Sequence, residues 1–139
     1  MSAKHFLDTN IIVYSFESSE KGERAQSLIK EALIEGTGHI GYQVIQEFIN
    51  VATKKFSVPM LPEDLKRYLK QVLYPLLSVY SSQELYLSAL DISERWQYGF
   101  YDSLIIAAAL SIDCEILYSE DLQHEQKVFG LQIINPFID

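Results

Sequence analysis

Short apolar runs alternate with longer amphipathic stretches along the whole chain. The apolar runs predict strands at His5–Leu7, His39–Gly41, Leu77–Tyr80, Glu115–Tyr118 and Leu131–Ile134. Between them, Asn10 to Phe16 reads as a short apolar helix. Ser19 can cap a second helix in which Ala25, Leu28, Ile29, Ala32 and Leu33 recur at helical spacing before Gly36 ends it. Gln43 to Phe56 reads as a third helix. Pro62 suits the first turn of a fourth, with Leu65, Tyr68, Leu69, Val72 and Leu73 on one face and Pro75 near its end. Ser81 and Glu84 have capping-box spacing for a fifth helix to about Gln97, and Tyr101 to Asp113 reads as a sixth. Strands separated by helices need crossover connections, which predicts a mostly parallel sheet covered on both faces.

Length and composition narrow the class. The 139 residues fit one domain over 1–139, with no repeat, linker or low-complexity tract. Hydrophobic residues at 48% and charged residues at 22% exclude wholesale disorder. The longest strictly apolar run, Leu104 to Leu110, is far below the roughly 20 residues that span a bilayer, so no membrane role is expected. No basic leader precedes the first strand. The single cysteine, Cys114, reads as a small buried apolar residue in a cytoplasmic protein. With 19 acidic against 11 basic residues the net charge is −8, at first sight the wrong sign for a nucleic-acid binder.

The acids themselves reopen that question. Sites in open parallel sheets form beyond the carboxyl ends of the strands, and Asp8 and Asp121 fall there. Each has an ordinary alternative: a helix cap for Asp8 or Asn10, a loop carboxylate for Asp121. Asp102 heads a helix apolar on every side, either as a cap favoured by the helix dipole or as a carboxylate in need of a partner. Glu47 lies just outside the apolar arc of its helix, with Asn50 nearby and Lys54 within about 20° of it on the wheel. Taken singly, it is an ordinary boundary residue.

Taken together, the four change the reading. Converging carboxylates repel one another unless a cation lies between them, and oxygen-only donors suit Mg²⁺ or Mn²⁺. Such ions activate water and stabilise the leaving oxygen of a phosphodiester. His5, His39 and His124 are scattered, so no zinc spacing exists, and no Walker, GxGxxG or GxSxG motif is present. A haloacid-dehalogenase-type phosphatase needs an acid at position 10, where Asn stands. A receiver-like binding domain needs a lysine after Leu117-Tyr118, and none follows.

Four ordered blocks carry a resemblance: Phe6-Leu7-Asp8-Thr9-Asn10-Ile11, Tyr42-Gln43-Val44-Ile45-Gln46-Glu47-Phe48, Tyr101 through Ala109, and Leu117-Tyr118-Ser119-Glu120-Asp121-Leu122-Gln123. With the closing Asn135-Pro136-Phe137, the chain resembles the PIN-domain ribonucleases, and within them the VapC-type toxins of bacterial toxin–antitoxin pairs. The resemblance implies a three-layer α/β/α sandwich with a central, mostly parallel sheet. It also implies a Mg²⁺- or Mn²⁺-dependent endoribonuclease that leaves 5′-phosphate and 3′-hydroxyl ends. The acidic quartet becomes Asp8, Glu47, Asp102 and Asp121, with Asp8, Asp102 and Asp121 toward metal. Thr9, Asn10 and Ser119 are supporting residues, Ser119 standing where threonine is commoner. Glu125 replaces a frequent glycine, which bears on a loop beside the site.

Further expectations follow from the resemblance. RNA is the substrate, with Lys54, Lys55, Lys21 and Arg24 as candidate backbone contacts or else a solvated helix face. A cognate antitoxin protein and a homodimer are the expected partners. Trp96, Tyr98, Phe100 and Tyr101 cluster before Asp102 and read as core or subunit interface ahead of base stacking. Tyr68, Leu69 and Leu73 are candidates to face a partner.

Overall fold

The computed structural model describes residues 3–138; Met1, Ser2 and Asp139, the ends of the expected domain, lie outside the described residues. The strands are β1 (His5–Leu7), β2 (Gly38–Gly41), β3 (Leu77–Val79), β4 (Ile116–Tyr118), β5 (Lys127–Val128) and β6 (Leu131–Ile134). The helices are α1 (Thr9–Tyr14), α2 (Glu20–Glu35), α3 (Tyr42–Lys54), α4 (Pro62–Tyr68), α5 (Tyr74–Leu76), α6 (Gln83–Trp96) and α7 (Phe100–Ser111).

The six strands form one sheet in the order β3-β2-β1-β4-β6-β5. All neighbours are parallel except β5, which pairs antiparallel with β6. From β1 the chain moves outward to β2 and β3, then crosses back to β4, runs to the far edge at β5 and returns to β6 beside β4. The strand order therefore reverses between β1 and β4, and such a switch point leaves a crevice at the strands' carboxyl ends.

Helices cover both faces of the sheet. Gly38 and Gly41 lie three apart on β2 and so point to opposite faces. A Cβ on Gly38 would meet Ala32 of α2, and one on Gly41 would stand 3.7 Å from Ala108 of α7. Only glycine lets α2 come this close to the strand. The core between the layers includes Phe6, Ile11, Phe48, Ile106, Leu117 and Ile133, all fully buried. The three-layer α/β/α sandwich with a mostly parallel sheet is the expected class.

Local chemistry accounts for most boundaries. Ser19 Oγ accepts from Gly22 N, and Gly36 closes α2 in the left-handed conformation (φ 71°). Residues 103–109 of α7 are buried throughout, as an apolar circumference requires.

Several details differ from the sequence pattern. The cap of α6 is Ser82, whose hydroxyl accepts from Leu85 N; Ser81 lies one residue too early. Leu33 sits on the exposed side of α2. The stretch after α4 passes through a π-helical turn, Leu69–Leu73, before α5. Leu73 is fully buried and cannot face a partner, and Tyr68 packs on Phe16 and Phe48. The aromatic cluster before Asp102 is divided. Trp96 packs edge-on against Phe129 and Tyr98 bonds to Gln126, whereas Phe100 and Tyr101 are exposed. Cys114 is buried, and burial pushes its thiol up to about 12. Among the described residues no helix is long and apolar enough to cross a membrane.

Candidate active site

Pairing of β1 with β4 sets Leu7 opposite Tyr118, so the next residues of both strands emerge side by side. Asp8 N donates to Tyr118 O at 3.0 Å, and Ser119 Oγ donates to Asp8 Oδ2 at 2.8 Å. Asp8 also caps α1, its Oδ1 accepting from Thr9 N at 2.7 Å. One oxygen of Asp8 thus caps α1 while the other accepts from Ser119.

The two residues after Asp8 tie down the other acids. Thr9 Oγ1 donates to Glu47 Oε1 on α3 at 2.6 Å. Asn10 Nδ2 donates to Asp121 Oδ2 at 3.1 Å, while Asn10 Oδ1 accepts from Glu120 N at 3.2 Å. Ser119 Oγ also accepts from Asp121 N at 3.2 Å, which fixes the turn after β4. Asp102 lies in the first turn of α7, where Gly99 takes the N-cap position, so Asp102 is not the cap of its helix. Its side chain is exposed toward the crevice, not sealed in the buried part of the helix.

Asp8, Glu47, Asp102 and Asp121 all line one cavity of about 430 Å³. A second hollow between α6 and α7 has only Glu84 and Asp91 as acids in its wall and lies apart from these strand ends. Thr9, Asn10, Gln43 and Tyr14 also line the acidic cavity, and Lys55 is the cation in its wall. Lys54 is exposed and outside it. Lys21 pairs with Glu120 and lies over the rings of Tyr14 and Phe137, and Arg24 donates to Pro136 O at 3.1 Å; neither lines the cavity.

The acids feel one another electrostatically. Burial pushes Asp8 up to about 7, against the hydrogen bonds from Ser119 and Thr9, and the charges of Glu47 and Asp121 push it further up. Asp102 is also raised, by partial desolvation against the protein first and then by the charges of Asp121 and Glu47. Like charges with oxygen-only donors suit a hard cation. Among the described residues no three acid or histidine side chains close around a point that would hold an ion.

Gln43 and Tyr14 escaped the sequence reading. Gln43 carried a signal, since it stands one helical turn before Glu47 on the same face. Tyr14 carried none beyond its place on an apolar helix.

An acidic crevice at the switch point of a parallel sheet lies where open α/β folds bind their ligands. The PIN domain family model matches residues 5–129, and the chain belongs to this family, the nuclease family that its four sequence blocks resemble. No curated protein sequence matches significantly. Among solved structures, a toxin–antitoxin complex from Klebsiella pneumoniae superposes with a TM-score of 0.68 at 17% identity, covering 98% of each chain. VapBC2 from Rickettsia felis, bound to a DNA fragment from its promoter, gives 0.66 at 16% identity over 93% of this chain and 96% of that one. VapC20 from Mycobacterium tuberculosis, a sarcin–ricin-loop-cleaving toxin, gives 0.61 at 13% identity over 84% and 89%. At these identities the likeness is one of fold.

Proposed function

We propose that this PIN domain is a divalent-metal-dependent endoribonuclease that hydrolyses RNA phosphodiester bonds and serves as the toxin of a toxin–antitoxin pair. The observation that carries the reading is the convergence of Asp8, Glu47, Asp102 and Asp121, from four separate segments, on one cavity. Asp8 and Asp102 are the residues to hold Mg²⁺ or Mn²⁺, with Asp121 and Glu47 orienting its water shell. When bound, the cation supplies charge neutralisation and Lewis acidity for attack of water on a phosphodiester.

The chain's own residues do the rest. Ser119 and Thr9 N hold the Asp8 carboxylate, Thr9 Oγ1 holds Glu47, and Asn10 holds Asp121. These bonds fix the acids before any ligand arrives, so little reorganisation is needed on binding. Lys55, in the wall of the cavity, is the residue proposed to contact a phosphate of the RNA backbone.

The partner readings have their own support. The Klebsiella and Rickettsia neighbours are toxin–antitoxin assemblies, and an acidic cavity on a chain of charge −8 suits a basic antitoxin segment. Tyr86, Leu87 and Leu90 form an exposed apolar strip on α6 that continues into Phe100 and Tyr101, which supports a homodimer. A cytoplasmic location accords with an RNA substrate.

The test is RNA cleavage with Mg²⁺ or Mn²⁺ by the wild type, Asp8→Asn and Asp102→Asn. Both variants lose activity if the reading holds; undiminished cleavage by either removes that residue from the site.

A further inference from the structure

Gln43 does something in this cavity that neither its family membership nor the acidic quartet accounts for. It stands in the first turn of α3 with its side chain 6% exposed. Its Nε2 donates to Glu47 Oε2 at 3.4 Å and to the carbonyl of Tyr101 at 3.2 Å. Tyr101 immediately precedes Asp102. One amide group thus links the carboxylate of one acid to the backbone that carries another, across the α3–α7 boundary.

The orientation of that amide is determined by its surroundings. Both neighbours of the NH₂ group are acceptors, so turning the amide over would set Oε1 against two oxygens. Gln43 Oε1 has no protein hydrogen-bond partner, so the NH₂ end of the amide makes its side-chain contacts. Glu47 is consequently held from two sides: Thr9 Oγ1 on Oε1 and Gln43 Nε2 on Oε2.

We propose that Gln43 is a positioning residue that orients Glu47 and locks it to the Asp102 segment, and that it thereby sets the affinity of the cavity for its divalent cation. The proposal rests on the metallonuclease reading for its consequence, and on geometry alone for the contact. Residues that orient metal-site groups from outside typically change affinity or activity by about 10–100-fold.

The experiment compares wild type, Gln43→Met and Gln43→Glu. Met keeps an unbranched side chain of similar length without donors; Glu keeps the shape and sets a second carboxylate against that of Glu47. The Mn²⁺ concentration for half-maximal RNA cleavage is expected to rise about 10–100-fold in Gln43→Met, with KM for RNA unchanged and one cooperative melting transition retained. Gln43→Glu is expected to lose more. A folded Gln43→Met with wild-type Mn²⁺ dependence overturns the proposal.

A second measurement needs neither metal nor activity. In metal-free wild type, the Gln43 side-chain amide protons are expected to exchange slowly by NMR and to shift on Glu47→Gln. Fast exchange with no such shift overturns the contact. Wild type that neither responds to Mn²⁺ nor cleaves RNA overturns the nuclease reading, while the NMR result still decides whether Gln43 holds Glu47.

Discussion

Ser119 and Asp8, 111 positions apart in sequence, meet at the carboxyl ends of adjacent parallel strands, where Ser119 Oγ donates to Asp8 Oδ2 at 2.8 Å. The hydroxyl is fully buried and also accepts from Asp121 N. Ser119→Ala strips a donor from a buried carboxylate, which costs about 1–3 kcal/mol. Urea denaturation in the presence of EDTA should show this loss. Ser119→Thr, which keeps the hydroxyl, should lose less, and equal losses would mean that packing at this position outweighs the bond.

Asp8 makes stability depend on pH in a defined direction. Its carboxyl is raised from the ordinary 3.8 to about 7, with burial the leading cause. Between these values the native protein keeps a proton that the unfolded chain releases. The contribution of this group is therefore greatest below about pH 4, falls as pH rises toward 7, and is level above that. Asp8→Asn carries no such penalty. In EDTA, the melting temperature of Asp8→Asn relative to wild type should climb from pH 4 to pH 7 and then level off. A difference that is constant across this range would show that Asp8 titrates normally.

Lys54 and Lys55 separate two expectations that the sequence left joined. Lys55 lines the acidic cavity and Lys54 does not. Lys55→Ala should raise KM for RNA and reduce the salt dependence of binding by about one unit of slope. Lys54→Ala should leave both nearly unchanged. Binding of a short RNA measured by anisotropy at several salt concentrations distinguishes the two, and a larger effect at Lys54 would place the RNA on the other side of α3.

Much of this was legible in the residues because it rests on local chemistry. Ser19 and Gly36 bound α2 as caps. The apolar circumference of residues 103–109 marks the buried helix that presents Asp102. Asp8 and Asp121 could be placed beyond strand ends from alternation alone, because a parallel sheet gathers those ends on one side. Other features depend on tertiary context. β5 has two residues and turns through Phe129 (φ 49°) and Gly130, where an Asn-Gly pair would have announced a hairpin. Ser81 and Ser82 are equivalent candidates by type, and only the observed backbone makes Ser82 the cap. The split of the aromatic cluster follows from Phe129, 33 residues after Trp96, arriving beside it. Gln43 looks like any polar residue until the carbonyl of Tyr101 lies against it.

The proposed function makes the four carboxylates at these strand ends a cation-requiring site for RNA hydrolysis. The most direct measurement is the end chemistry of a defined single-stranded RNA incubated with wild-type protein in EDTA and after addition of Mn²⁺. This role predicts no cleavage in EDTA, internal cleavage with Mn²⁺ giving 5′-phosphate and 3′-hydroxyl ends, and none by Asp8→Asn under either condition. Cleavage that proceeds in EDTA and leaves 2′,3′-cyclic phosphate ends would contradict it.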